Sequence, residues 1–345
     1  MIVTRTPFRI SFFGGGTDYP AWYREHGGAV LTTAIDKYCY ITCRYLPPFF
    51  EHHSRIIYTR VENVPDNARI EHPAVRACLR SLGITDGVEI HHDADLPART
   101  GLGTSSTFVV GLLHALNALC QQPREPAALA RAAIRIEQQE LGENVGAQDQ
   151  IAAAFGGLQL IRFHPDGRFQ LEPVAVPPER LAALRAHLHL YFTGFARTAS
   201  EIAGEQIANI PARTAELQAM QAMVEEGERL LSGDAPLAEF GALLHQAWMC
   251  KRRLSNRISN PDMDAIYDRA RAAGALGGKL LGAGGGGFFL FFVPPERAAA
   301  FHERMAPLMH VPFSFPAQGS ELVLASEDVF VPAAEPLRRS YRIAA

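Results

Sequence analysis

PARTGLGTSS, residues 97–106, runs without a break into TFVVGLLHALNALC, an apolar run of helical period. The two stretches set a tight glycine loop, with hydroxyls to spare, directly against a helix N-terminus. Such a terminus presents unpaired backbone N–H groups and a partial positive charge, which suits a phosphate. Gly101 and Gly103 let the backbone approach an anion closely or take φ > 0 without a Cβ clash. Thr104, Ser105 and Ser106 can cap the helix or ligate a cation carried by the phosphate. An ordinary N-cap behind a glycine turn reads the same on this segment alone. The loop lacks the lysine of a Walker A sequence, and its spacing is not that of a dinucleotide fingerprint.

Two further segments are built alike: RTPFRISFFGGGTDYP at 5–20 and KLLGAGGGGFF at 279–289. Three glycine-rich segments, each abutting an apolar run, are hard to explain as turns. Together they resemble the three motifs of the GHMP kinases, the family of galactokinase, homoserine kinase, mevalonate kinase and phosphomevalonate kinase. The resemblance runs from Val3 to about Glu321. It implies an α+β fold of two domains: a strand-rich nucleotide-binding domain over 1–177 and a ferredoxin-like domain of helices and sheet over 178–327. A short extension, 328–345, follows. Galactokinases carry a glutamate and a histidine in the first loop. GGGTD, Gly14 to Asp18, is instead similar to sugar kinases that act on D-glycero-D-manno-heptose 7-phosphate, and AQDQIAAAFGG, Ala147 to Gly157, points the same way.

Composition sets bounds without naming a function. A chain of 345 residues has room for two cores. Its formal net charge of −3 gives no reason to expect nucleic acid or an acidic membrane as partner. Met1 leads straight into a motif strand, which argues against a signal peptide, and no apolar run approaches the ~20 residues that span a bilayer. Cys39, Cys43, Cys78, Cys120 and Cys250 have no zinc-like spacing and read as buried free thiols of a reducing cytoplasm. Only Lys37, Lys251 and Lys279 are lysine among 33 basic residues. That bias suggests sites where a compact ammonium is held by a phosphate or a tight fit.

Patterning predicts strands at 3–13, 29–45, 54–61, 88–92, 158–163 and 169–176, with helices at 73–82, 105–120 and 126–141. Pro177-Pro178 reads as a domain boundary. Beyond it helices are expected at 198–208, 211–231, 236–254, 261–273 and 294–305, and a strand at 288–293. Strands near 312–315 and 321–325 are expected to finish the second domain. The pairs His52-His53 and His91-His92 alternate across strands, cannot easily chelate one ion, and read as surface residues. Trp22, Tyr23 and Trp248 read as core packing.

Phosphoryl transfer asks for an anion cradle, a divalent cation, a group that orients or deprotonates the attacking hydroxyl, and cations facing the developing charge. By resemblance, the ATP cradle runs from Pro97 through Gly101, Leu102, Gly103, Thr104, Ser105 and Ser106. Ser105 would supply a hydroxyl and Glu137 a carboxylate to Mg²⁺; read without the family, Glu137 belongs to a solvated face with Gln138 and Glu140. The catalytic aspartate falls at Asp149 and the first-motif arginine at Arg9. A guanidinium among Phe8, Ile10 and Phe12 needs a partner, either Asp149 or the transferring phosphate. Arg9 beside Asp149 would favour orientation and charge balance over a base of raised pKa.

Gly15, Gly16, Thr17 and Asp18 are expected to meet the sugar, although Asp18 also reads as an Asx-turn before Pro20. Lys279, Gly284 and Gly285 would line the same cleft. A phosphate on the acceptor needs its own cations, for which Arg197 and the Lys251–Arg253 cluster are candidates. The implied activity moves the γ-phosphoryl of ATP to the anomeric hydroxyl of a seven-carbon sugar phosphate. Kinases of free hexoses such as fucose share much of GGGTD, and a non-catalytic sensor on the same scaffold is the alternative of another class. A Rossmann dehydrogenase is disfavoured by the lack of alternating βαβ units early in the chain.

Overall fold

The computed structural model describes residues 1–194 and 199–326. The first half of the chain builds a sheet with helices on it. Its elements are β1 (Ile2–Phe13), α1 (Pro20–His26), β2 (Gly28–Tyr45), β3 (Ser54–Ile57) and β4 (Val61–Val64). There follow α2 (Pro73–Ser81), β5 (Val88–Ala94), α3 (Thr104–Leu119), α4 (Pro126–Arg135), α5 (Gln148–Phe155), β6 (Leu158–Phe163) and β7 (Phe169–Pro173). The second half comprises α6 (Pro178–His187), β8 (Leu188–Phe192), α7 (Ala199–Asn209), α8 (Thr214–Ser232), α9 (Leu237–Arg252) and α10 (Pro261–Ala272). It closes with β9 (Gly277–Leu280), β10 (Phe288–Phe292), α11 (Ala298–Met305), β11 (Met309–Val311) and β12 (Glu321–Ala325).

The larger sheet has the order β12-β1-β2-β5-β3-β4, with β6 and β7 branching from β2. From Thr6 onward both faces of β1 are buried, which is why FRISFF lacks the alternation of a half-solvated strand. A bulge at Phe12, between the pairs Ser11–Thr32 and Phe13–Leu31, re-aims the strand end just before the GGGTD loop. Phe12 and Phe13 then both reach Phe240 of α9, with ring centroids 5.4 and 5.1 Å apart. Those edge-to-face contacts join the two halves of the molecule.

The smaller sheet has the order β11-β8-β10-β9, antiparallel throughout. Numbered within that sheet the order is 4-1-3-2, the ferredoxin-like βαββαβ arrangement, with helices α7 to α10 inserted after its first strand. Its apolar face is dense: Phe289, Phe291, Trp248 and Phe301 are all fully buried. Trp22 and Tyr23 are buried as well.

Several expectations need correction. The strand expected at 321–325 does not finish the second domain but pairs with β1 of the first sheet, in the register Ile2–Ala325 to Arg5–Glu321. Arg5 binds Glu321 at 2.6 Å, and Thr6 shares a 2.8 Å hydroxyl contact with Ser320. The strand expected at 312–315 lies instead at Met309–Val311, because Pro312 and Pro316 withhold ladder donors. The single strand expected at 54–61 is the β3–β4 hairpin. Helices α1, α5 and α6 and strands β8 and β9 lie where the sequence pattern marks no element. The 328–345 extension lies outside the described residues.

Candidate active site

Arg9 sits mid-strand on β1 and is only 4% exposed. Its guanidinium grips Asp149 side-on, Nε to Oδ1 at 2.7 Å and one terminal nitrogen to Oδ2 at 2.9 Å. The other terminal nitrogen donates to the Gly101 carbonyl at 2.8 Å. The Arg9 backbone N–H reaches the Leu102 carbonyl at 3.2 Å. One residue thus ties the first strand, the glycine loop and the first turn of α5, where Asp149 lies. A bidentate pair of this kind fixes both carboxylate oxygens.

The glycine loop is shaped by contacts that tolerate no side chain. Gly103, at φ 75°, is the N-cap residue of α3 and offers no side-chain cap. A Cβ there would lie 3.2 Å from the Asp149 carboxylate and 3.4 Å from Arg9 Cγ. At Gly101, φ 84°, a Cβ would strike the Leu281 carbonyl at 2.4 Å. Thr104 does not cap the helix; its hydroxyl accepts from Arg99 N–H at 3.1 Å and so holds Arg99 in the left-handed region at φ 63°. The first N–H groups of α3 are left to an external acceptor, the arrangement an anion requires. Pro97 and Leu102 support the loop from behind: the Pro97 carbonyl accepts from Thr100 at 2.8 Å, and Leu102 is buried.

After Arg135 the helix widens into a π turn, Ile136–Glu140. Such turns redirect side chains and are frequent at functional sites. Here the turn carries Glu137 inward, where it is 1% exposed. Burial is the main cause that pushes its carboxyl up to about 7; the Asp149 charge adds to this, and hydrogen bonds from Ser106, Gln150 and Ser105 oppose it. Gln150 donates to Oε2 at 2.6 Å, whereas Oε1 is buried with no partner. An orphan carboxylate oxygen beside the Ser105 and Ser106 hydroxyls is a hard-oxygen donor set, which fits Mg²⁺. Glu140 faces outward and pairs with Arg80 at 3.2 Å.

Asp18 lies behind the first glycine loop, with Oδ1 accepting from Gly16 N–H at 2.9 Å and Oδ2 near Gln148 N–H at 3.4 Å. Burial first, and then the charge of Asp149, raises its pKa above the usual carboxylate range. A Cβ at Gly146 would fall 1.8 Å from Asp18 Oδ2, so only glycine permits this approach. Two of the three lysines lie beneath the same site. Lys279 donates to the Phe12 carbonyl at 2.8 Å, and Lys251 to the Leu280 carbonyl at 2.9 Å and to the Gly282 carbonyl. Burial, reinforced by neighbouring cations, lowers both: Lys251 to about 7, and Lys279 well below the ordinary range.

These groups open into one cleft of about 970 Å³, shared by both halves of the chain. Arg9, Asp18, Ser105, Asp149, Lys251 and Lys279 all line it, together with Gly15 and Gly16. Other predicted site residues go elsewhere. Thr17 is fully buried and spends its hydroxyl on the Gly14 and Ala29 carbonyls, both at 2.8 Å, so it shapes the loop and does not face the cleft. Gly284 packs against Ile258, and Gly285 N–H donates to the Ile258 carbonyl at 2.9 Å; in the third segment Gly282 and Ala283 reach the cleft beside Lys279. Of the Lys251–Arg253 cluster only Lys251 does so. Arg252 is paired with Asp264 at 2.6 Å and Arg253 with Glu216 at 3.6 Å. Arg197 lies outside the described residues.

His92 is not the surface residue its strand position suggests. It lines the cleft with Tyr58, His72 and Phe108, whose rings meet at centroid distances of 4.8 to 5.0 Å. These four come from β3, α2, β5 and α3 and the turns beside them, and no local sequence pattern joins them. They form an apolar, aromatic end to the cleft next to the N-terminus of α3.

Known proteins resemble this chain in sequence and fold. The GHMP kinases N terminal domain matches residues 69–157 and the GHMP kinases C terminal domain residues 234–308. The D-glycero-alpha-D-manno-heptose 7-phosphate kinase of Campylobacter jejuni is 30% identical over 298 residues, covering 82% of this chain and 86% of its own. The bifunctional fucokinase/GDP-fucose pyrophosphorylase of Arabidopsis thaliana is 25% identical over 305 residues, 81% of this chain but 28% of the plant protein. Among solved structures, a D-glycero-D-manno-heptose 1-phosphate kinase from Bacteroides thetaiotaomicron superposes with a TM-score of 0.78, at 24% identity, over 95% of this chain and 100% of that one. Lactococcus lactis galactokinase with galactose gives 0.72 at 17% identity, over 93% and 94%, and speaks for the fold alone. With both domain matches and a kinase 30% identical over most of the chain, the chain belongs to the GHMP kinase family and is an ATP-dependent sugar kinase.

Proposed function

We propose that the protein is a cytoplasmic sugar kinase that moves the γ-phosphoryl of ATP to the anomeric hydroxyl of D-glycero-D-manno-heptose 7-phosphate, giving the 1,7-bisphosphate. The observation that carries the reading is the meeting of the Arg9–Asp149 pair with the uncapped N-terminus of α3 in one cleft. The α3 N–H groups hold nucleotide phosphate, and the aromatic end of the cleft suits a base. Glu137 and Ser105 would hold Mg²⁺, which when bound neutralises charge on the β- and γ-phosphates. The acceptor hydroxyl oxygen forms the new bond to the γ-phosphorus, the bond to the ADP oxygen breaks, and the hydroxyl proton passes to an Asp149 oxygen. Arg9 keeps that carboxylate aimed, and Asp18 with Gly16 shapes the sugar loop.

Lys251 supports a phosphorylated acceptor. Two of its N–H groups meet carbonyls, which leaves the third of an ammonium's three donors for a ligand in the cleft. The kinase of Campylobacter jejuni named for a heptose 7-phosphate supports the same choice. A second reading, kinase of a free hexose, is favoured by the pairing of Arg252, Arg253 and Arg257 with carboxylates, which removes them as phosphate ligands. ADP release measured across free and phosphorylated hexoses and heptoses decides between them. Preference for the sugar phosphate, with Lys251→Met raising its KM about tenfold and leaving that for ATP nearly unchanged, is expected. Equal turnover of the free sugar would sink the phosphate assignment.

A further inference from the structure

Two histidines of the smaller sheet and one of the helix packed on it are not used by the cleft. His189 lies on β8, two residues before Tyr191, and His310 on β11 stands directly opposite Tyr191. Residues two apart on a strand share a face, so all three point to the side on which α11 packs. His302 in the last turns of α11 completes the group. Its ring centroid is 4.8 Å from that of His189 and 4.4 Å from that of His310. One ring nitrogen from each of the three lies within 4.8 Å of the others. Around an ion bound at ~2.1 Å in tetrahedral geometry, ligand nitrogens stand about 3.4 Å apart, so the rings need to close by up to about 1.4 Å.

Two details mark this as more than aromatic packing. His189 is 7% exposed, and its Nε2 is buried without any partner. A polar atom so placed is costly unless something binds it. His302 Nδ1 lies 2.5 Å from the hydroxyl of Tyr191, itself 1% exposed. With Nδ1–H as donor to that oxygen, Nε2 of His302 keeps a lone pair that an ion can take. A ligating histidine with its second nitrogen pinned by an outer partner is the usual arrangement at metal sites.

We infer that His189, His302 and His310 form a second metal site, separate from the kinase cleft, that takes one divalent late transition ion such as Zn²⁺ or Co²⁺. Three neutral imidazoles select that class and discriminate against Mg²⁺, which prefers oxygen. Arg185, in the last turn of α6 ahead of β8, donates to the Phe313 and Leu188 carbonyls and is no ligand itself. Its cation leaves the fourth position to water, hydroxide or a small anion. A bound ion would cross-link β8, β11 and α11.

Untagged, chelator-stripped protein titrated with Co²⁺ alone tests the site. One equivalent should give the visible absorption of a four-coordinate ion, and Zn²⁺ should abolish it by displacement. His310→Ala should lose that signal while keeping Mg²⁺-dependent kinase turnover, which also reports a folded chain, since His310 is exposed and lines no part of the cleft. Tyr191→Phe should weaken binding about tenfold or more. A wild-type chain without the signal, or a His310→Ala chain that retains it, overturns the site. Unchanged affinity in Tyr191→Phe overturns the ligand set by removing its outer partner.

Discussion

Glu137→Gln separates a metal ligand from a merely buried carboxyl, because it should weaken Mg²⁺ use while stabilising the metal-free fold. With the Glu137 carboxyl near 7, ligation must displace a proton, and the apparent Mg²⁺ constant carries a factor of 1 + 10^(pKa−pH). That factor is about 11 at pH 6 and about 1.1 at pH 8, so roughly tenfold more Mg²⁺ is needed for half-maximal rate in the acid. The titration of the nucleotide's own phosphate is common to both proteins and cancels in the comparison. The stability effect has the opposite sign. A carboxyl raised from 4.5 to about 7 by folding gives a contribution that is complete below pH 4.5 and lost as pH rises through 7, roughly 3 kcal/mol in all. Without Mg²⁺ at pH 8 the Gln variant should melt several degrees higher, since ~1 kcal/mol moves Tm by about 2–4 °C in domains of this size. At pH 4.5 the two should coincide. The assays are ADP release against Mg²⁺ at pH 6 and 8, and thermal melts in chelator. A wild-type Mg²⁺ requirement no steeper with pH than that of Glu137→Gln, or a Gln variant less stable at pH 8, would refute the assignment.

Asp149→Asn should leave ATP affinity within a few-fold and lower kcat by ~10² or more, as expected for a positioned proton acceptor; near-normal turnover would dismiss that role. Gly101→Ala, which puts a Cβ 2.4 Å from the Leu281 carbonyl at φ 84°, should cost at least ~1–2 kcal/mol for the backbone alone. It should also raise the ATP KM, and a variant with wild-type Tm and KM would contradict the close approach. Thr17→Val should destabilise by about 1–3 kcal/mol through its orphaned backbone partners yet leave sugar KM unchanged, as steady-state rates and melts can show.

What the sequence made legible is what depends on neighbours along the chain. The α3 helix, the β6 strand and the cap of α10 follow from local pattern, and Asn260 does accept from Met263 N–H at 3.0 Å. That Arg9 needs a partner was readable, because a guanidinium among buried apolar neighbours must be compensated, but the choice of Asp149 over the transferring phosphate was not. Long-range facts were not. Nothing in KRRL announces that Lys251 turns inward while Arg252 and Arg253 pair with acids on other elements. The π turn that delivers Glu137 leaves the helical period almost intact, so its effect is invisible before the side chain's surroundings are known. Glycines gave an ambiguous signal for the same reason. Gly284 is required by Ile258, a neighbour 26 positions earlier in the chain, and not by a ligand.

Because β12 pairs with β1, the outermost hydrogen bonds of the first sheet join residues some 320 positions apart. On a ribosome adding ~5–20 residues per second, the first strand therefore waits roughly 15–60 s for its partner. During that interval one edge of β1 is an open template for any extended segment nearby. A chain cut at Pro177 would carry the same open edge permanently. The first domain is thus not a detachable module: its sheet is closed only after the whole second domain has been made.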